Sequence, residues 1–333
     1  MKGTNPIHPA FVTGACGFIG RRLLGALLAG GREVTALCRQ PTCLADLQHP
    51  RLTILPGRLG DISNYSRYLT PETVVFHLAA VRPLRGSVAD LERTNVAEFI
   101  DLTRSCAAAK VLRFINVSSA VAFGPSRGRI VNEEGGLNGV SFAYAASKCR
   151  ALEAIRQGAA GALDVVTVCP TIVFGPDHPH HPNKVTSFIR QLLKFRISWT
   201  VGGGEAVRNL VYVDDVVRGL MLAECAGRAR EEYILGGEEI CQRDLNRRVA
   251  SMAGIRLRGS LNIPRSLVLT AARLFDQVRR DTAEAGLTSS VQTLTTEWRF
   301  SSDKARRDLG YTTTLFDVAL KRTVDFAKGR SGD

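Results

Sequence analysis

The sequence predicts a doubly wound α/β fold, a parallel β-sheet covered by helices on both faces. Three observations predict it. A short apolar strand runs into glycines at positions 14, 17 and 20 and then into the helix-like segment RRLLGALLAG. Later Val-, Ile- and Leu-rich runs lack strict alternation, as a sheet buried on both faces requires. Helical stretches separate these runs, and a repeated strand–helix pattern gives this class of sheet.

The first element, VTGACGFIG at residues 12–20, carries the most chemistry. A turn that brings backbone close to a phosphate cannot hold a Cβ at its tightest points. Gly14, Gly17 and Gly20 supply three such points. Amides at the start of the following helix are unpaired and partly positive, so a pyrophosphate there gains hydrogen bonds and dipole attraction together. The spacing is G-x-x-G-x-x-G, not the G-x-G-x-x-G of the basic dinucleotide fingerprint, which leaves a plain strand-to-helix turn as the competing reading.

Helical spacing holds over residues 18–28 and stops near Gly30 and Gly31. The next strand, EVTALCRQP, ends where an acid about 20 residues past the glycines would hold a ribose 2′-hydroxyl. No acid is there; Cys38 and Arg39 stand before Pro41. A guanidinium at this point suits the 2′-phosphate of NADP by charge and bidentate geometry. A solvated arginine at a strand end is the alternative.

Further strands are expected at LTIL (52–55), TVVFHLAA (73–80) and VLRFINVSS (111–119). Between the last two, residues 90–109 place Leu91, Val96, Phe99, Ile100 and Leu102 at amphipathic helical spacing. Ligands in such sheets bind beyond the carboxyl ends of the strands, where HLAA (77–80) and VSSA (117–120) fall. Small residues at Ala79 and Ala80 let a flat cofactor lie close to the backbone. Ser118 and Ser119 end their strand as hydroxyl donors or as turn chemistry.

In YAASK, Tyr144 and Lys148 stand four apart in a helical segment, so both face one side. A phenol with a pKa of about 10 is a poor base, and a nearby cation lowers it. Lowering it by three units needs about 4 kcal/mol. An isolated pair of this kind is usually a surface contact. Here the order of glycine loop, serine-ended strand and helix brings all three to one edge of the sheet.

Composition bounds the function classes. The 333 residues, 45% hydrophobic and 23% charged, can bury a large core as one big domain or two coupled lobes. The net charge of +13 is spread over isolated pairs such as Arg21-Arg22, Arg247-Arg248, Arg279-Arg280 and Arg306-Arg307, with no aromatic stripe for base stacking, so nucleic acid is not an expected partner. An anionic cofactor uses such charge equally well. The eight cysteines form no C-x-x-C pair and read as small buried hydrophobes in a reducing compartment. No metal site is expected, the histidines of DHPHHPNK (177–184) reading as solvated. With no leader-like or spanning segment, a cytoplasmic protein is expected.

TGACGFIG, HLAA, TNV (94–96), VSSAVAFG, YAASK, PTIVFGP (170–176), LVYVDDVV (210–217), YILGGE (233–238) and KARRDLGY (304–311) together resemble the extended short-chain dehydrogenase/reductases. The chain is similar, over nearly its full length, to the epimerase/dehydratase, 3β-hydroxysteroid dehydrogenase and dihydroflavonol reductase-like group. The resemblance implies a Rossmann-type domain at 1–176 and 206–237 and a smaller substrate lobe at 177–205 and 238–330. It implies that Ser119 fixes the substrate oxygen, that Tyr144 is the acid–base group, and that Lys148 binds the nicotinamide ribose and tunes Tyr144. It also implies that Gly14, Gly17, Phe18, Ile19 and Gly20 hold the pyrophosphate. Leu59, Leu78, Ala79 and Ala80 would lie along the cofactor, Pro170 and Val173 beside the nicotinamide, and Arg39 where the dihydroflavonol-reductase branch meets NADP. NAD(P) is therefore the expected cofactor, NADP over NAD. The partner is a small ketone, alcohol or sugar derivative, and the helices at 90–109 and 141–157 match those that form a homodimer bundle.

The departures concern the substrate. Where relatives read G-D-L after the third strand, this chain has Gly57, Arg58 and Leu59, losing the acid near the adenine unless Asp61 substitutes. In place of R-P-x-N-V-Y-G-P, typical of nucleotide-sugar enzymes, it reads CPTIVFGP, with Cys169 and Ile172. Arg208 is nevertheless kept where those enzymes place a phosphate-binding arginine. The expected activity is hydride transfer between nicotinamide and a carbonyl or secondary alcohol, with sugar epimerisation or dehydration as the alternative. The segment at 262–280, with Ile263, Leu267, Leu274, Phe275 and Val278 between arginines, is expected to dock within the lobe rather than lie on a membrane.

Overall fold

The structure is a computed structural model describing residues 7–82, 87–138, 142–179, 181–278 and 287–329. His180, Arg279, Arg280 and the start of the expected 141–157 helix at Ser141 lie outside them.

Through the first part of the chain, strand and helix alternate as β1 (Ala10–Thr13), α1 (Phe18–Ala29), β2 (Val34–Cys38), β3 (Leu52–Pro56), α2 (Ile62–Tyr65), β4 (Val74–His77), α3 (Val88–Glu92), α4 (Glu98–Ala108) and β5 (Arg113–Val117). A π-helical turn, Arg93–Ala97, joins α3 to α4. Next come α5 (Ala143–Arg156), β6 (Val165–Pro170), β7 (Ile172–Phe174), α6 (Lys184–Phe195), β8 (Ile197–Val201), β9 (Val207–Tyr212), α7 (Val213–Ala226) and β10 (Glu232–Leu235). The chain continues through β11 (Glu238–Cys241), α8 (Gln242–Ala253), β12 (Gly259–Ile263), α9 (Arg265–Val278), α10 (Leu287–Thr295), α11 (Asp303–Leu309) and α12 (Phe316–Ala327).

Seven parallel strands form the main sheet in the order β10-β6-β5-β4-β1-β2-β3. Every residue of β1, β4 and β6 is buried, which is why these strands read as continuous apolar runs. Leu23, Leu24, Leu27 and Leu28 put one stripe of α1 against the sheet, each burial stabilising by roughly 1.5–3 kcal/mol. The strand order runs outward in opposite directions from β1 and β4. A crevice therefore opens beyond their carboxyl ends, where ligands of such sheets bind.

Ion pairs fasten the helices to this frame. Arg32 grips both oxygens of Glu224 at 2.8 and 2.7 Å, tying the α1–β2 turn to α7. Asp215, buried at the start of α7, accepts from the backbone and hydroxyl of Thr314 at 2.9 and 2.6 Å and from Arg218 at 2.5 Å. The second Asp of VYVDD thus holds the C-terminal segment in place.

Two smaller sheets, β11-β9-β7 and β12-β8, carry the rest. A separate core gathers Phe174, Ile189, Leu192, Leu210, Leu245, Val249, Leu320 and Val324 from β7, α6, β9, α8 and α12. The expected domain boundary after residue 237 falls between β10 and β11, and β11 pairs antiparallel with β9 across it. In α9 the residues expected to dock face outward instead: Leu267, Leu274 and Phe275 are exposed, while Ala272 and Asp276 are buried. Among the described residues, no helix is long and apolar enough to cross a membrane.

Candidate active site

The glycine loop has the shape its sequence requires. Gly14 has φ +69°, and a Cβ there would stand 2.5 Å from the carbonyl carbon of Leu78. A Cβ on Gly20 would stand 2.3 Å from the Gly14 oxygen, so Gly20 lets α1 close onto the loop. Gly17 is the N-cap of α1 and offers no side chain to its amides, and the first turn contains no acid. The partial positive charge at Phe18, Ile19 and Gly20 is left for an anion. These features fit a pyrophosphate: a cradle that a Cβ would fill, ending in an uncapped helix start.

HLAA forms the opposite wall. The amides of Leu78 and Ala79 donate to the backbone oxygen and hydroxyl of Thr13 at 3.1 and 3.3 Å, fixing Leu78, Ala79 and Ala80 beside the glycines. His77 is buried below them, bonded through Nδ1 to the Thr13 hydroxyl at 2.9 Å and packed on Phe99 and Phe114. Burial pushes its pKa down to about 3, so it is a neutral structural imidazole.

At the adenosine end, Arg39 is exposed just past β2. Arg58 is exposed too, and its amide donates to the Asp61 carboxylate at 3.0 Å, committing that acid to the local turn. Leu59, expected along the adenine, is drawn into the core with Phe11 and Tyr65 and is 6% exposed. Its carbonyl accepts from the buried Tyr65 phenol at 2.5 Å. A further departure concerns the cysteines. Cys16 and Cys38, expected as independent buried thiols, are joined by a disulfide, their Cα atoms 6.6 Å apart. Parallel pairing of β1 and β2 brings Thr13 opposite Leu37, so the loop just beyond β1 and the last residue of β2 become neighbours.

The expected catalytic set converges beyond the carboxyl end of β5. Ser119 is half-buried past the strand, with its hydroxyl near the phenol of Tyr144 on α5. Burial pushes the Tyr144 pKa up; the Arg82 guanidinium and the neighbouring Ser119 hydroxyl pull the other way. The net direction is opposite to the lowering expected from Lys148. In the chain alone the cation acting on the phenol is Arg82, a residue sequence reasoning missed. Lys148 is 4% exposed, its Nζ directed at the Val117 carbonyl at 3.5 Å, and burial pushes its pKa down to about 8.

Asn95, seen in the sequence only within the TNV motif and given no role there, is a second such position. Buried in the π turn, it accepts from the Val81 amide at 2.8 Å and donates to the Val81 carbonyl and the Ser147 hydroxyl at 3.0 and 3.1 Å. It thereby locks α5, carrying Tyr144 and Lys148, to the segment that carries Val81 and Arg82. A wider turn that frees backbone groups is a common feature of functional sites.

Across the crevice, Pro170 ends β6 and half-buried Val173 lies in β7. Asn183, the N-cap of α6, donates to the Val173 carbonyl at 2.7 Å, and Thr186 donates to the Gly175 carbonyl at 2.7 Å. Arg208 in β9 is 7% exposed, and its guanidinium donates to the Gln242 amide oxygen. Its Nε is buried without a hydrogen-bond partner, and no carboxylate pairs with it among the described residues. Burial lowers its pKa to about 10.

Fold and site together define a nicotinamide-dependent enzyme of the extended short-chain dehydrogenase/reductase type. Residues 10–236 match the NAD dependent epimerase/dehydratase family, and the chain belongs to it. It is 29% identical over 312 residues to the 4-hydroxy-2-methyl-3-oxo-4-farnesyl-3,4-dihydroquinoline-1-oxide ketoreductase of Stigmatella aurantiaca, covering 90% of this chain and 91% of that one. It is 33% identical to the dTDP-glucose 4,6-dehydratase of Streptomyces griseus over 242 residues, 68% of this chain and 72% of the relative. Among solved structures, a dTDP-glucose 4,6-dehydratase from Streptomyces venezuelae with NAD bound superposes with a TM-score of 0.77 at 26% identity, over 96% of each chain.

Proposed function

We propose that this enzyme is an NADP-preferring ketoreductase, reducing a carbonyl on a largely apolar substrate with Tyr144 as the acid. The observation that carries this reading is the meeting of the Ser119 hydroxyl and the Tyr144 phenol at the carboxyl end of β5, where buried Lys148 reaches the Val117 carbonyl. Because burial raises the Tyr144 pKa, the phenol holds its proton at neutral pH. That is the state needed to protonate a developing alkoxide.

When bound, the nicotinamide supplies the hydride. Ser119 donates a hydrogen bond to the substrate oxygen and sets it against the Tyr144 hydroxyl. Tyr144 delivers its proton to that oxygen, and Lys148 holds the nicotinamide ribose. Arg39 takes the 2′-phosphate, a role supported by its place just past β2 with no acid beside it in sequence. Residues 177–205 and 238–330 form the lobe that closes over the substrate, and the helices at 90–109 and 141–157 form a homodimer face. Relatives named for ketone reduction match along most of this chain. They include the farnesylated dihydroquinoline ketoreductase and a 2-alkyl-3-oxoalkanoate reductase of Stenotrophomonas maltophilia, each over 90% of it.

A second reading, epimerisation or dehydration of a nucleotide sugar, is favoured by one observation, the buried Arg208 with no carboxylate partner among the described residues. The two part on the fate of the nucleotide. Incubation with NADPH and a panel of alkyl-substituted oxo acids and cyclic ketones is expected to consume NADPH in proportion to alcohol formed. Isomerised or dehydrated sugar with no net nucleotide oxidation would establish the second reading instead.

A further inference from the structure

Three sulfurs meet where the cofactor cradle is assembled. Cys16 lies between Gly14 and Gly17, Cys38 ends β2 directly before Arg39, and Cys43 belongs to the 3-10 turn Pro41–Leu44 that follows. Their Sγ atoms all lie within 4.8 Å of one another, the single grouping of this kind among the described residues. The turn is fixed by the Cys43 amide donating to the Gln40 carbonyl at 3.0 Å, and by Arg21 of α1 donating to the Cys43 carbonyl at 2.9 Å. The Cys16–Cys38 disulfide fastens the glycine loop to the strand end carrying Arg39. These are the two pieces of backbone that must keep a fixed separation to hold pyrophosphate and adenosine ribose together.

We propose that Cys16 and Cys38 form a reversible thiol–disulfide site that sets the affinity of the adjoining cofactor cradle, with Cys43 as the neighbouring third thiol. A peroxide closes it. The two thiols lose two protons and two electrons, a sulfur–sulfur bond forms, the O–O bond breaks, and two waters leave. A dithiol opens it, returning both thiols and ending as its own cyclic disulfide. Half-exposed Cys16 is the sulfur that an attacking thiolate reaches, since Cys38 is buried. Closed, the bond holds the loop and the Arg39 turn in one relative position, so less freedom is lost when the nucleotide binds. Open, the two segments part and affinity falls. This inference rests on the cofactor assignment at the glycine loop and Arg39.

The test uses the full chain, equilibrated with dithiothreitol or with one equivalent of hydrogen peroxide, and reads NADPH affinity by fluorescence titration alongside alkylation mass spectrometry. The closed form is expected to show six alkylatable cysteines and the open form eight, since six of the eight are free in the structure. The closed form is expected to bind NADPH at least about threefold more tightly, about 0.7 kcal/mol. In Cys16→Ser and Cys38→Ser that difference disappears, whereas Cys43→Ser keeps it. Equal affinity in the two redox states of the wild type would overturn the redox site while leaving the cofactor reading intact. Binding of no nicotinamide nucleotide in either state would overturn both. Stoichiometric zinc that protects all three thiols from alkylation would overturn the proposal in favour of a metal centre.

Discussion

The Ser119 hydroxyl lies close enough to the Tyr144 phenol to act on it, so the end of β5 and the first turn of α5 meet with the two groups able to share one substrate oxygen. Both are held by what surrounds them: Ser119 follows a strand buried along nearly its whole length, and α5 is pinned through Ser147 to Asn95. The site is preassembled, and each part of the assembly has a measurable consequence.

The approach of Gly14 to Leu78 makes Gly14→Ala costly twice, through its positive φ and through the Leu78 backbone. Chemical denaturation is expected to show a loss of roughly 1–3 kcal/mol, and nucleotide titration a large loss of affinity. Gly128→Ala is the control: Gly128 has φ +80°, but nothing lies within 4 Å of where its Cβ would stand, so only the conformational cost applies and nucleotide binding is unchanged.

Arg39→Ala is expected to weaken NADPH binding by about tenfold or more, the scale of a lost charge-assisted hydrogen bond, and to leave NADH nearly unaffected. Calorimetric titration with both nucleotides checks it. A parallel loss for both would remove Arg39 from the 2′-phosphate.

Lys148 gives a pH signature in the cofactor-free chain. Its folded pKa, about 8, lies below its ordinary 10.5 because burial disfavours the cation. Between those values the unfolded chain holds the extra proton, so this group makes stability rise with pH. Below pH 8 both states are charged, and the folded state bears the full cost of burying the cation. Lys148→Met is therefore expected to be more stable than wild type by about 1–3 kcal/mol at pH 7, with the gap closing toward pH 10. Denaturation midpoints across that range test it; a less stable variant at pH 7 contradicts it.

Arg208→Met separates the two functional readings. If Arg208 holds a substrate phosphate, KM for a nucleotide sugar rises by about ten to a hundredfold with kcat little changed. If it is a buried strut bonded to Gln242, stability falls and ketone kinetics per folded molecule stay the same.

Much of this architecture was legible locally. The glycine loop and the doubly buried strands are short-range patterns whose spacing the backbone turns directly into geometry, and Tyr144 and Lys148 share the helix α5 that their spacing implies. What was not legible depends on distant pairings. Cys16 and Cys38 are 22 residues apart and become neighbours only when β1 and β2 pair. Arg208 lies in β9 where the backbone of Trp298, far along the chain, bridges to the strand. Leu59 matches a cofactor position in sequence, yet the space beside Phe11 and Tyr65 draws it inward. Asn95 stands in the TNV motif, but its role emerges only when the π turn aims it at Val81.

The central claim, proton delivery by Tyr144 during ketone reduction, is tested most directly by measuring NADPH oxidation and NADPH affinity in Tyr144→Phe, which keeps the ring and removes only the hydroxyl. Turnover is expected to fall by about a hundredfold to ten-thousandfold while the dissociation constant stays within about twofold, a shift of about 0.4 kcal/mol. Turnover undiminished in that variant would contradict the account.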